Sequence, residues 1–501
     1  MASSFEILCG IAVLFLALYY YLTSTFDFWK SRGVVGPKPV PFFGTTKDLI
    51  LVKKSTAHFV KDIYEKYKNE PMVGLYATRS PFLLLNDPEL IKDILIRDFS
   101  KFANRGLIKY RQTEPLSPHL LNLEVERWRP LRSRLSPIFT SGKLKEMFYL
   151  IIECSLNLEM YLDKLIEKNE PIECRELTAR FTTDVIGSCA FGIDMSSMTN
   201  ENSEFRRMGR EVFAVNFMNV MRMKLKQFMP RLYDLLGYVM PDRTFAPFFT
   251  RVVTDTIKYR NDNNIVRPDF INMLMELQKN PQKLENISFE TSSTTMSNAL
   301  YELALNQDVQ KKLPEITDNL LAAQAFVFFA AGFETSSTTM AHALYEMALN
   351  PNIQDKLRKE IKEFYANNNF TYEEVKKMKY LDKVFKETLR KYPPGVFLKR
   401  KCNSNYTFKG TKVSIPAGTS VIIPVYSIQT DPKFYENPDV FDPERFNEDA
   451  VAARHPMTYL PFGDGPRKCI GIRFGVYQTK VGLIKMLKNF KVNVCEKTMI
   501  P

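Results

Sequence analysis

The chain has 501 residues, is 45% hydrophobic and carries a formal charge of +13. That composition suits a large globular core and excludes a disordered or low-complexity chain. The positive balance points to nucleic acid, a membrane surface or an acidic protein; no zinc-type Cys/His spacing or compact basic motif supports nucleic acid. Seven scattered cysteines (Cys9, Cys154, Cys174, Cys189, Cys402, Cys469, Cys495) form no disulfide ladder, which predicts a body in a reducing compartment.

Residues 5–22 are apolar apart from Glu6 and contain no proline, long enough to span a bilayer. Lys30 and Arg32 follow and no Lys or Arg precedes, so the positive-inside rule puts the body in the cytoplasm. A cleaved signal peptide is the competing reading, but a charged n-region and a small-residue cleavage site are both missing. Residues 1–29 therefore read as an N-terminal transmembrane anchor. Residues 30–45, with Pro37, Pro39 and Pro41, read as a stiff proline-rich spacer. Residues 46–501 read as one large domain, since no further linker divides them.

Short apolar runs at 72–76 and 82–85 predict strands, and Asp87-Pro88-Glu89 starts a helix. Trp128 and Arg132 are one helical turn apart on one face, where an indole N–H and a guanidinium suit a buried carboxylate. The bland alternative is a packed Trp beside an unrelated surface Arg. Arg127, Arg129, Arg134, Lys143 and Lys145 make this region basic, either a solvated face or a docking patch for an acidic electron donor. Residues 213–240 are dense in Phe and Met, which fits a pliable roof over an apolar pocket, a surface dipping into lipid, or ordinary core.

The octapeptide at 289–296 recurs at 333–340, and the likeness continues to Leu313 and Leu357. Two copies do not make a solenoid. The second copy follows a long buried-helix run, 320–332; the first does not. The first, 289–313, reads as an inserted repeat, a duplicated or mis-joined exon, tolerable in a surface loop. Farther on, Glu387 and Arg390 pair at i, i+3 on a helix, Pro443-Glu444-Arg445-Phe446 lies downstream, and residues 405–425 carry short strands.

The sequence then reaches Phe462-Gly463-Asp464-Gly465-Pro466-Arg467-Lys468-Cys469-Ile470-Gly471. Glycines let a backbone close in and aim N–H groups at a sulfur, and a helix expected over 471–490 would add its dipole. A lone Cys in such a loop is otherwise a packed small hydrophobe.

The complete F-x-x-G-x-R-x-C-x-G pattern resembles the haem-thiolate loop of the cytochrome P-450 superfamily. The preceding series, W-x-x-x-R, A-G-x-[DE]-T at 331–335, E-x-x-R and P-E-R-F, agrees with it in order. The chain is most similar to microsomal members of the insect family-six xenobiotic type, which also begin with an anchor and a proline-rich hinge. The resemblance implies a mainly α triangular prism with a small β region and haem b between the central helix and the cysteine loop. Cys469 would be the iron ligand, with Phe462 packed beside the sulfur. Arg467 would pair with a haem propionate, as would Trp128 with Arg132, and Arg105 in Phe102-Ala103-Asn104-Arg105-Gly106 would reach one. Glu387, Arg390 and Arg445 would lock the loop under the haem. Ala331 and Gly332 would clear space over the iron, Gly332 permitting a local bulge, while Glu334 and Thr335 relay protons. A mid-helix Thr bonding its own backbone is the alternative for Thr335.

The implied reaction inserts one atom of dioxygen into an apolar small molecule: a xenobiotic, plant toxin, insecticide or endogenous lipid or hormone. Electrons would come from NADPH through NADPH–cytochrome P-450 reductase, with cytochrome b5 as a second donor, at the endoplasmic reticulum membrane, and no nucleic acid is involved. Two rivals stand beside it. One is a haem-thiolate isomerase or dehydratase. The other is a catalytically impaired haem- or apolar-ligand-binding membrane protein, prompted by the repeat and by a C-terminal hairpin expected in the family but not found before Pro501.

Overall fold

A computed structural model describes residues 4–107, 114–200, 203–214, 217–236, 245–279, 317–367 and 370–500. The first copy of the repeat, 289–313, lies outside the described residues.

The fold is mainly helical with a small sheet region. The central helix, Asp318–Leu349, starts at Thr317, whose side chain accepts from Leu320 N at 3.3 Å. It is alanine- and phenylalanine-rich and buried along most of its length, so it forms the spine of the main core. Against it pack the helices Cys174–Ile186, Phe245–Asp262 and Ile472–Asn489, and Ser141–Glu167 packs in turn on the first and last of these. Phe329 meets Phe333, Phe249 and Phe205 with ring centroids 5.0, 5.2 and 6.0 Å apart, geometry that adds aromatic edge contacts to simple burial. The helix is continuous through Gly332, and the glycine also answers to packing. A Cβ there would come within 2.4 Å of Ile186 Cδ1, and the two helices stay close because Thr182 Oγ1 donates to Phe333 O and Thr178 Oγ1 to Ser337 O, both at 3.1 Å.

The larger sheet has order β1-β2-β6-β3. β1 (Met72–Ala77) and β2 (Ser80–Leu85) form the expected hairpin, with Met72 opposite Leu85. β2 runs parallel to β6 (Ser420–Ile423), with Leu83 opposite Val421, and β3 (Leu398–Lys401) closes the sheet antiparallel with Arg400 opposite Val421. The near-continuous apolar runs of β2 and β6 follow from this interior position. A second sheet pairs β4 (Tyr406–Thr407) with β5 (Ser414–Ile415). As expected, Asp87 caps the helix Pro88–Lys92, accepting from Leu90 N at 3.0 Å.

Of the three readings open for the Met-rich stretch, ordinary core does not hold for its described part: along the helices Phe217–Phe228 and Pro230–Leu236 and at the residue between them, Met218, Met221, Met223, Met229, Leu232 and Leu235 are exposed. The segment after the anchor helix, Ser4–Thr23, is held against the body. The helix itself has no buried residue, but Trp29 and Val34 behind it are buried in the sheet-side core.

Candidate functional site

The cysteine loop is closed by its own backbone. Cys469 N donates to Phe462 O at 3.0 Å, Lys468 N to Gly465 O at 2.9 Å and Gly463 N to Leu460 O at 3.0 Å. Gly463 and Gly465 take φ of +66° and +71°, a region that disfavours side chains. At Gly465 a Cβ would also strike Leu95 O at 1.9 Å. The loop delivers Cys469 just ahead of the helix Ile472–Asn489. Cys469 keeps solvent-accessible surface as a residue although its thiol is surrounded by protein atoms, as beside an opening within the fold. Burial pushes the thiol up; a Gly471 N–H hydrogen bond and the nearby Arg132, Arg105 and Lys468 cations pull it back toward thiolate. Phe462 stacks on Phe385 with centroids 6.5 Å apart.

The central helix has a matching opening. Ala331 and Thr335, one turn apart, are exposed, while Phe333, Ser336 and Ser337 between and beyond them are buried. Thr335 Oγ1 donates to Ala331 O at 2.7 Å, the local backbone bond open to a mid-helix threonine. Glu334 points elsewhere and pairs with Arg175, itself about half exposed. Gln478, from the cysteine-side helix, donates to Gly332 O at 2.8 Å and to Ser336 Oγ, while its own Oε1 is buried without a partner among the described residues. This contact joins the helix behind Cys469 to the helix that carries Thr335.

Four guanidinium groups converge beside the cysteine. Arg467 is buried against the face of Trp128, 4.0 Å from the ring, and donates to Ala103 O at 2.9 Å and Leu123 O at 2.8 Å. Arg105 donates to Leu121 O at 3.2 Å and Arg467 O at 3.0 Å. Arg132, one turn after Trp128 on the helix Val125–Leu135, donates to no protein group among the described residues. Arg400, from β3, is 2% exposed; Nη1 reaches Lys399 O at 3.0 Å and Nε has no partner among the described residues. No carboxylate pairs with any of the four among the described residues. Burial, and for each guanidinium except Arg105 the neighbouring cations, push Arg467 down to about 8, Arg400 to about 9, and Arg105 and Arg132 to about 10. Guanidinium does not readily surrender its proton, so such a cluster calls for an anion.

A second arginine cluster is complete in itself. Arg390 donates Nε to Glu387 Oε2 at 2.7 Å and Nη2 to Oε1 at 2.8 Å, with both residues fully buried. Arg390 also holds Gln429 O and Pro438 O at 2.9 and 2.7 Å, Asp442 N donates to Glu387 Oε1 at 3.0 Å, and Arg445 Nε lies 3.5 Å from the same oxygen. The three residues expected together are together, and they brace the 429–442 segment.

Arg400 and Gln478 escaped the sequence reading. Strand alternation was the available signal for Arg400, since it shares the inward register with Cys402. Gln478 sits in a helix otherwise read by its apolar positions.

This is the arrangement of a thiolate loop facing a helix across a cation-lined opening. The Cytochrome P450 family model matches residues 34–320 and 314–501, two stretches that meet between the copies of the repeat. The chain belongs to the cytochrome P450 family. Among its relatives, Cytochrome P450 6j1 of Blattella germanica is 37% identical over 97% of this chain and 91% of its own. Cytochrome P450 6A1 of Musca domestica is 38% identical over 99% and 93%, and Cytochrome P450 6a2 of Drosophila melanogaster 40% over 98% and 94%. The chain is a haem-thiolate monooxygenase of the family-six type that uses haem iron and electrons passed from NADPH by a reductase.

Proposed function

We propose that the protein oxidises apolar small molecules, xenobiotics among them, with Cys469 as the iron ligand. The observation that carries this reading is Cys469, solvent-accessible in a loop closed by its own backbone hydrogen bonds, beside four arginines that lack a protein anion among the described residues. The residues fit haem. Its two propionates are the carboxylates that Arg105, Arg132, Arg400 and Arg467 call for, with Trp128 supporting Arg467. When bound, haem iron supplies the reductive activation of dioxygen and the transfer of one oxygen atom to the substrate.

The chain's own groups then have separable tasks. Gly471 N–H and the Arg132, Arg105 and Lys468 cations hold negative charge on Cys469 Sγ. Phe462 O fixes the loop by accepting from Cys469 N. Thr335 Oγ1 would hold a water-borne proton over the opening left by Ala331, and the Glu334–Arg175 pair would supply protons from the surface. Gly332 keeps the helix seated against Ile186, while Glu387, Arg390 and Arg445 hold the segment beneath the loop rigid.

The helix Ser4–Thr23 is long and apolar enough to cross a membrane and has no buried residue. With Lys30 and Arg32 just after it, this supports an endoplasmic reticulum anchor with the body in the cytoplasm. The exposed Lys468 and Arg473 near the cysteine would meet an acidic face of the reductase, and cytochrome b5 would use the same side.

The carbon monoxide difference spectrum of the dithionite-reduced protein tests the reading. The full chain should give the red-shifted thiolate-type band and Cys469→Ala should lose it completely. Retention of the band in the variant would move the ligand elsewhere.

A further inference from the structure

The segment between anchor and body is fitted to the sheet along its length. Trp29 is 2% exposed. Its indole Nε1 donates to Leu75 O at 3.0 Å, and its backbone N–H to the Tyr76 hydroxyl at 3.1 Å. That hydroxyl in turn donates to Phe26 O at 2.7 Å. The indole lies so close to β1 that a Cβ on Gly74 would sit 2.3 Å from the ring. Farther along the segment, Gly36 meets the same strand: a Cβ there would fall 2.1 Å from Gly74 O, and Gly74 N donates to Val35 O at 2.8 Å.

The turn Lys30–Arg32 separates these two contacts, and the Ser31 hydroxyl within it donates to Phe28 O at 3.0 Å. Thr25 Oγ1 donates to Arg79 O at 2.6 Å in the β1–β2 turn, and the Arg79 guanidinium lies 3.7 Å from the ring of Tyr21 in the anchor helix. Arg32 Nε reaches Ser414 O of β5 at 3.1 Å. A free tether needs none of these contacts, since a flexible linker works by leaving its backbone solvated.

We propose that residues 24–36 form a rigid collar, bolted by Trp29, that holds the anchor helix at a fixed angle so that a lipid bilayer meets one fixed face of the body. The inference rests on the reading of Ser4–Thr23 as a membrane anchor. The 40–45 loop hangs from the same end of the hairpin: Thr45 N donates to Tyr76 O at 2.9 Å and Gly44 bridges to Ala77. That loop exposes Val40 and Phe42, apolar side chains that a bilayer accepts.

The test uses full-length holoprotein in oriented phosphatidylcholine bilayers, where linear dichroism of the haem band reports the tilt of the body. In detergent, trypsin cleavage after Lys30 and Arg32 reports whether the collar is closed. Trp29→Ala should float with vesicles and keep the carbon monoxide band, yet lose haem dichroism toward that of a freely tilting body. Its cleavage at Lys30 and Arg32 should rise at least about tenfold, because cleavage follows the population of the open segment. Gly74→Ala, which displaces the indole, should behave alike, and Trp29→Phe should fall between because it keeps the ring and loses the Nε1 bond. Unchanged dichroism and unchanged cleavage in both Trp29→Ala and Gly74→Ala would overturn the collar. Failure of the wild-type protein to float would instead reject the anchor reading, with proteolysis in detergent still deciding the collar.

Discussion

Two arginine clusters in this molecule make opposite use of the same side chain. Around Glu387, the buried guanidinium of Arg390 has a bidentate carboxylate and two close backbone carbonyls. Around Cys469, Arg105, Arg132, Arg400 and Arg467 have backbone carbonyls at best and no carboxylate among the described residues. A buried charge is tolerated when its partner is built in, and costs several kcal/mol when it is not. The first cluster is therefore finished by folding. The second is finished only when an anion arrives, and its cost in the haem-free chain becomes affinity in the loaded one.

The largest effect that would break this contrast comes from Glu387→Ala. It strands Arg390, fully buried, without its carboxylate, and should destabilise the haem-free and haem-bound protein alike by about 3–5 kcal/mol. Urea unfolding of both forms checks it; a loss confined to the haem-bound form would put Glu387 in the cofactor site. Arg400→Met should split the two forms. It removes a buried cation with no carboxylate among the described residues, so the haem-free chain should gain about 1–3 kcal/mol while haem is retained less well. Parallel melting curves and haem titration measure both signs, and destabilisation of the haem-free form would mean that Arg400 is already compensated.

The contrast also separates what was legible from what was not. Glu387, Arg390, Arg445 and Cys469 lie in short motifs whose spacing sets their geometry, and the loop, the hairpin at 72–85 and the helix after Cys469 follow from local glycine and apolar patterns. Arg400 has no such motif. Its position depends on β6 pairing with β2, more than 300 residues away along the chain, and sequence periodicity does not encode a partner strand. Gly332 was legible as a special residue, but its contact with Ile186 was not, because that side chain comes from a different helix. The composition of the Met-rich 218–235 stretch fits a roof, a lipid-facing surface or core alike, and only its tertiary place shows it exposed.

A smaller effect is expected where the helices behind the two halves of the site meet. Gln478→Leu removes donors to Gly332 O and Ser336 Oγ, but also removes an Oε1 that has no partner among the described residues. The two changes oppose each other, so the haem-bound protein should lose only about 1 kcal/mol. Hydrogen exchange at 332–340 should rise more visibly than the melting temperature falls. Unchanged exchange there would show that Gln478 does not couple the two helices.

The smallest effect concerns pH, and it tests whether an acidic neighbour that is already satisfied still attracts a proton. His342 stacks on Tyr392 with centroids 4.4 Å apart, near Glu346. Glu346 already accepts from Lys391 Nζ at 2.7 Å and from the Tyr392 hydroxyl at 2.5 Å. Burial, with Arg175 nearby, pushes His342 down to about 4, and burial with Lys226 and Arg105 does the same to His119. An unfolded histidine takes its proton near pH 6.5. Between there and about pH 4 the unfolded chain binds more protons than the folded one, so stability falls as pH falls through that window and is flat above it. His342→Phe keeps the stack and removes the titration, and should therefore flatten part of the melting-temperature slope between about pH 6.5 and 5. A slope identical to wild type would mean that Glu346 keeps enough negative charge to hold the His342 proton in the folded state.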